Sequence, residues 1–341
     1  MSTSRTSRTS RTSRTSRPSI PAPTLRRALL VVALASLALP LTLAAQRNRD
    51  RDSRDSRDDG DLVKLDTTIA FGPNGTVDLS QISGSITVTA WNRKEAKVSA
   101  NTEYGYLRAD LSGGRISLEV RSRRGRIGDS EFRLQVPVGT RVIARSVSGD
   151  ITVTGLKAAA ELRSVSGDIE VSDAVDQVTL ESVSGSVKGH QLAGSTRAQS
   201  VSGDIELVGV TGDVDAGTTS GEMSLRDVKS ANVRAETLSG DLDYRGTIDK
   251  AGRYEFKSHS GEVRLTMPEG SGATFSVSTW SGSVESVIPM RLEPSSESSG
   301  RGRTKRMEFT IGGGGGARVS VSTFSGDITI ERAGARGKRE E

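Results

Sequence analysis

Acidic side chains that return on a fixed clock are the first candidates for chemistry in this chain. Asp150, Asp168, Asp204, Glu222 and Asp241 each follow a Ser-Gly step. A column of such carboxylates offers the oxygen ligands that a hard cation such as Ca²⁺ takes. Two observations weigh against a metal site. The short G-G-x-G-x-D repeat that builds calcium-binding β-helices is absent, and Ser186 interrupts the column. A local explanation is sufficient: Gly lets a chain turn sharply, and Ser and Asp side chains bond nearby backbone N–H groups.

Little else in the sequence could carry a reaction. The two histidines, His190 and His259, sit beside turns far apart in the chain. Gly128–Ser130 and the many Ser-Gly pairs are turn chemistry, with no nucleophile elbow and no partner triad. Polysaccharide lyases and hydrolases on β-helices use clustered acids with a basic residue in one groove, and Asp150, Asp168 and Asp204 lack such a basic cluster. Trp91 and Trp280 could stack on sugars, but single aromatics on distant segments are expected to pack at the ends of the fold. The reading is a non-enzyme with no cofactor, no metal and no catalytic residue.

The clock itself explains the acids. SVSGD at Ser146–Asp150 recurs at Ser164–Asp168, as SVSGS at Ser182–Ser186, and again at Ser200–Asp204. It loosens to TTSGE, TLSGD, SHSGE, TWSGS and TFSGD further on. The turn glycines are Gly149, Gly167, Gly185, Gly203, Gly221, Gly240, Gly261, Gly282 and Gly326, at spacings of 18, 18, 18, 18, 19, 21, 21 and 44. The last gap reads as two rungs. A fixed period near 20 residues marks a solenoid whose repeats bury their apolar faces only against one another.

Between the glycines lie short period-2 strands. Val165 is followed by Ile169, Val171, Ala174, Val178 and Leu180, and Val201 by Ile205, Leu207, Val210, Val214 and Ala216 at the same offsets. Stacked about 4.8 Å apart, they predict an all-β, single-domain β-solenoid (β-helix-like) of 18–22-residue rungs, with φ > 0 at the turn glycines. The stacked serines are expected to form hydroxyl ladders. Glu170, Lys188 and Glu206 fall in one outward column of alternating sign.

The SVSGDITV repeats resemble the bacterial family of unknown function known as "putative adhesins". Gly84–Val98 is similar to the opening strands of that family, Phe132–Val142 to its entry into the repeats and Val321–Ile330 to its closing strand. The resemblance covers about residues 62–331, departing from the pattern at a polar insertion, Glu293–Arg306. It implies surface or envelope interaction and supplies no catalytic residues.

The N-terminus reads as an export leader. Arg5, Arg8, Arg11, Arg14, Arg17, Arg26 and Arg27 precede an apolar stretch, Ala28–Ala45, broken by Pro40 and ending in small residues. Cleavage near Ala45 is expected, the alternative being an uncleaved membrane anchor. Taking these seven arginines from the 47 basic residues leaves 40 against 42 acidic ones. The mature chain is therefore close to neutral, which argues against nucleic acid as a partner. With no cysteine, disulfides, thiolate metal sites and a lipid-anchoring cysteine are excluded.

The expected organisation is a signal peptide at 1–45, a charged linker at 46–61 and a solenoid domain at 62–331, ending in a basic tail at 332–341. Within the domain, 62–145 forms a less regular N-terminal cap and 146–331 carries the repeats. The expected function is an exported, non-catalytic cell-envelope or surface interaction protein, periplasmic, surface-bound or secreted. Its partner would be an envelope component, a glycan or a protein. The alternative is a carbohydrate-processing β-helix enzyme.

Overall fold

The computed structural model describes residues 63–122, 128–289, 291–292, 305–312 and 316–333. The leader, the charged linker and residues 334–341 of the tail lie outside the described residues, as does most of the polar insertion. Every regular element among the described residues is a β-strand.

Alternation of apolar and polar residues sets the strands, and parallel pairing stacks them in two long ladders. In one, Ile151, Ile169, Val187, Ile205 and Met223 are successive partners. In the other, Val142, Ala160, Val178, Thr196, Val214 and Val233 follow one another. A short third ladder links Val175, Ala193, Thr211 and Lys229. Each regular rung is thus three-sided, closing on Ile169, Val171, Ala174, Val178 and Leu180, all fully buried. Gly189 stands in the core column between Val171 and Leu207. A Cβ there would come within 2.7 Å of Leu192 and Leu207, so the missing side chain makes room for a larger neighbour.

Farther along, the third side dissolves into continuous strands, Met223–Ser239 and Leu242–Ser260. The longer rungs enclose aromatics: Tyr244 packs on Phe256 at 5.0 Å, and the Tyr254 hydroxyl donates to the Ser230 carbonyl at 2.6 Å. Burying a phenol without a partner is costly, and this bond satisfies it.

Both ends of the stack are interleaved. The strand Thr76–Ser80 lies between Arg115–Arg121 and Arg141–Arg145, although it precedes both in sequence. Likewise Gly84–Trp91 lies between Ser130–Pro137 and Asp150–Thr154. At the other end, Arg318–Ser325 inserts between Leu242–Ser260 and Ala273–Ser281. The gap of 44 residues is therefore not two successive rungs. It holds a strand that turns back antiparallel on Ala273–Ser281, namely Lys305–Ile311, before the chain re-enters the stack. Antiparallel strands also cover the opposite end, where Glu95–Thr102 pairs with Ser130–Pro137. Such covers protect edges that would otherwise template aggregation.

Candidate functional site: the Ser-Gly-Asp corner

The repeated step forms one corner along the whole stack. In the first four repeats the leading serine is buried and accepts a hydrogen bond from its own glycine N–H. The pairs are Ser146–Gly149, Ser164–Gly167, Ser182–Gly185 and Ser200–Gly203, at 2.8 to 3.0 Å. From Gly221 onward the corner changes. Gly240 N–H instead donates to the Ser260 carbonyl of the next rung, and the buried hydroxyls of Thr237 and Ser258 are left without partners. The columns of hydroxyl residues do stack, but they bond backbone rather than each other. Thr323 donating to Thr279 at 3.0 Å is an exception.

Only part of the turn-glycine column shows the expected positive φ, and stacking constrains all of it. Gly149, Gly167, Gly185, Gly203 and Gly326 do not adopt a positive φ, whereas Gly221, Gly240, Gly261 and Gly282 do, at 133° to 158°. What constrains them is stacking. A Cβ on Gly167 would overlap the Gly149 carbonyl, one on Gly185 that of Gly167, and one on Gly203 that of Gly185. The column continues through Gly221, Gly240, Gly261, Gly326 and Gly282 in that spatial order, so Gly326 sits between two glycines that precede it in sequence. Gly84 begins the column below Gly149. Its step, Gln81–Ser85, is a further repeat that the looser spelling QISGS concealed. A second corner has positive φ on every regular rung, at Gly155, Asp173, Gln191, Gly209 and Asp227, which recur every 18 residues with φ between 52° and 80°.

The corner acids reach across rungs. Asp150, Asp168, Asp204 and Asp241 accept the N–H of Asp168, Ser186, Glu222 and Glu262 at 2.8 to 2.9 Å. Asp327 accepts both the N–H and the hydroxyl of Ser283, which hold its carboxyl below the usual range. Among the described residues no group of three or more acids or histidines is arranged to hold a metal. The carboxylates stand one per rung on backbone amides, a geometry suited to joining rungs rather than to paired acid–base work.

Between the leading serine and the next one, each corner points a residue outward. Backbone bonds place Ile82, Val147, Val165, Val183 and Val201 in line, and strand register continues the line through Thr219, Leu238, His259, Phe324 and Trp280. These valines head the sequence rungs, yet they face solvent or its margin, not the core. Phe324 is 48% exposed and Trp280 44%. Phe324 stacks on His259 at 4.7 Å and on Trp280 at 5.9 Å. Trp280 is therefore neither isolated nor packed inside; insertion of the last strand brings together rings that the sequence separates. Trp91 differs, donating to the Glu95 carbonyl at 2.7 Å beneath Arg93. His190 lies on the other ladder, beside Ser172 and Val208. A parallel column of serines, Ser148, Ser166, Ser184, Ser202, Ser220, Ser239, Ser260, Ser325 and Ser281, flanks the outward line and is exposed except at half-buried Ser260.

No curated protein matches the chain. Several solved structures are similar at low identity. A Clostridium sporogenes protein described as a "putative cell adhesion protein" shares 10% identity, with 79% of this chain and 99% of that chain covered and a TM-score of 0.26. A "putative lipid binding protein" from Parabacteroides distasonis shares 12% identity over 80% and 97% of the two chains, with a TM-score of 0.47. A "putative adhesin" from Bacteroides fragilis shares 9% over 78% and 96%, with a TM-score of 0.34. The sequence pattern of the Toastrack DUF4097 family matches residues 128–216 and 174–331, and the chain belongs to that family.

Proposed function

We propose that the chain is an exported, non-catalytic interaction protein of the cell envelope or surface, adhesin-like in its action. One observation carries this reading: an outward line, apolar except at Thr219 and His259, runs along the repeat corner and ends in the stacked rings of His259, Phe324 and Trp280. Exposed apolar groups that line up over many rungs mark an interaction surface more often than chance would, and weak contacts repeated along a stack add by multivalency. The corner carboxylates are engaged with backbone amides, so the same corner lacks the free acid pair that a lyase or hydrolase needs. The export leader at 1–45, the linker at 46–61, the domain at 62–331 with rungs of 18–22 residues, and the tail at 332–341 belong to the same proposal. The registers of the ladders support the rung lengths.

The test is retention of the purified chain on isolated cell envelopes, alongside protease accessibility on intact cells. A Leu238→Ser, Phe324→Ser, Trp280→Ser variant should fold normally and lose most of its retention. Unchanged retention, strictly cytoplasmic location, or reducing ends released from a polysaccharide panel would each overturn the reading.

A further inference from the structure

A second surface, away from the corner, has the makings of a ligand groove. It lies on the outer face of the strands around the inserted segment and encloses about 710 Å³. Its floor is two strands wide and, beyond Arg318 at one end, carries short hydroxyl side chains outward. These are Ser320 from Arg318–Ser325, with Thr274 and Ser276 from Ala273–Ser281, and Ser322 and Ser278 continue the two rows beyond the groove. Longer side chains stand on either side: Arg253 and Glu255 along one wall, Arg306 and Glu308 along the other. Small residues between tall charged neighbours are what make the depression.

The charges at one end of this groove are unlike the rest of the face. Elsewhere on the same ladder, Arg145 meets Asp78, Arg163 meets Glu161 and Glu181, Arg197 meets Asp215, and Arg234 meets Glu236. Arg253 and Arg318 are direct neighbours in register, both exposed, and Thr274 comes next. Among the described residues no carboxylate lies within ion-pair distance of either. Like charges on adjacent strands repel, and a guanidinium pair left open is a fork for carboxylate or sulfate oxygens.

We infer that this groove binds a glycan bearing an oxyanion, its hydroxyls over the Ser/Thr floor and its carboxylate or sulfate on Arg253 and Arg318. Glu255 and Glu308 can accept sugar hydroxyls at the walls. The site is independent of the corner line, so either can fail without the other.

Calorimetric titration of the full chain tests it, with a galacturonate hexamer as the carboxylate probe and a heparin hexasaccharide as the sulfate probe. A neutral galactose hexamer is the control. At least one acidic probe should bind, more weakly as salt rises, and the neutral one should bind at least about tenfold more weakly. An Arg253→Ser, Arg318→Ser variant should lose at least about tenfold in affinity for the acidic probe while melting cooperatively. Ser320→Trp, which fills the floor without altering charge, should also block binding. Equal binding of acidic and neutral probes, binding unaffected by both variants, or no binding of either acidic probe would overturn the assignment.

Discussion

The carboxylate of Asp168 accepts the backbone N–H of Ser186, one rung away, at 2.8 Å. The acid of each Ser-Gly-Asp step therefore serves the next rung rather than its own turn. Asp168→Ala should cost about 1 kcal/mol, because the amide loses a charged acceptor at an exposed corner where water can partly replace it. Asp168→Asn keeps an acceptor and should stay within about 0.5 kcal/mol. Urea melts of the two variants decide; equal losses would mean that the cross-rung bond contributes nothing.

Two glycines 12 residues apart should respond in opposite ways. Gly167→Ala pushes a Cβ into the Gly149 carbonyl, and backbone cannot move aside as a side chain would. A loss of about 2 kcal/mol or more is expected. Gly155 has φ at 80°, yet a Cβ there meets nothing nearer than Ala90 at 3.5 Å. Gly155→Asn should be nearly neutral, since Asp173 already adopts that conformation one rung on, whereas Gly155→Val should cost more than about 1 kcal/mol. Chemical denaturation of the three variants gives the order.

Acid should weaken the fold through identifiable carboxylates. Burial alone would raise the Glu236 carboxyl, but hydrogen bonds and charge from Lys257 and Arg234 hold it below its ordinary value. Asp327 is likewise held low by Ser283. A lowered folded-state pKa gives stability that is present above the unfolded value and lost as pH falls through the folded one. Thermal midpoints should therefore drop between about pH 5 and pH 2. The Glu236→Gln, Asp327→Asn variant should be less stable at neutral pH and show a shallower drop. A slope identical to the parent chain would assign acid sensitivity elsewhere.

Glu170, Lys188 and Glu206 are direct partners on successive strands. Lys188→Glu places three like charges in a row and should lower stability by roughly 0.5 kcal/mol, more at low salt. Melts at two ionic strengths measure it, and a salt-independent loss would point to packing instead.

The regular rungs were legible in the sequence because 18-residue spacing places Ile169 over Ile151 without interruption. The ends were not. Nothing in the order of residues announces that Phe324 will stand between His259 and Trp280, since interleaving depends on long-range pairing that a local period does not record. The second corner was equally silent, because Gly155, Asp173, Gln191, Gly209 and Asp227 share a backbone angle but no side-chain chemistry. The groove floor was invisible for a similar reason: serines on two strands become a surface only once the last strand slides between its neighbours.

That sliding has a mechanical consequence. A stack whose terminal rungs were also the ends of the chain could be unzipped by tension, one ladder at a time. Here Arg318–Ser325 is gripped by partners on both flanks, and Thr76–Ser80 is gripped the same way at the opposite end. Once the outer strand Lys64–Ala70, paired among the described residues only with Glu95–Thr102, is gone, freeing either gripped strand means shearing two ladders at once.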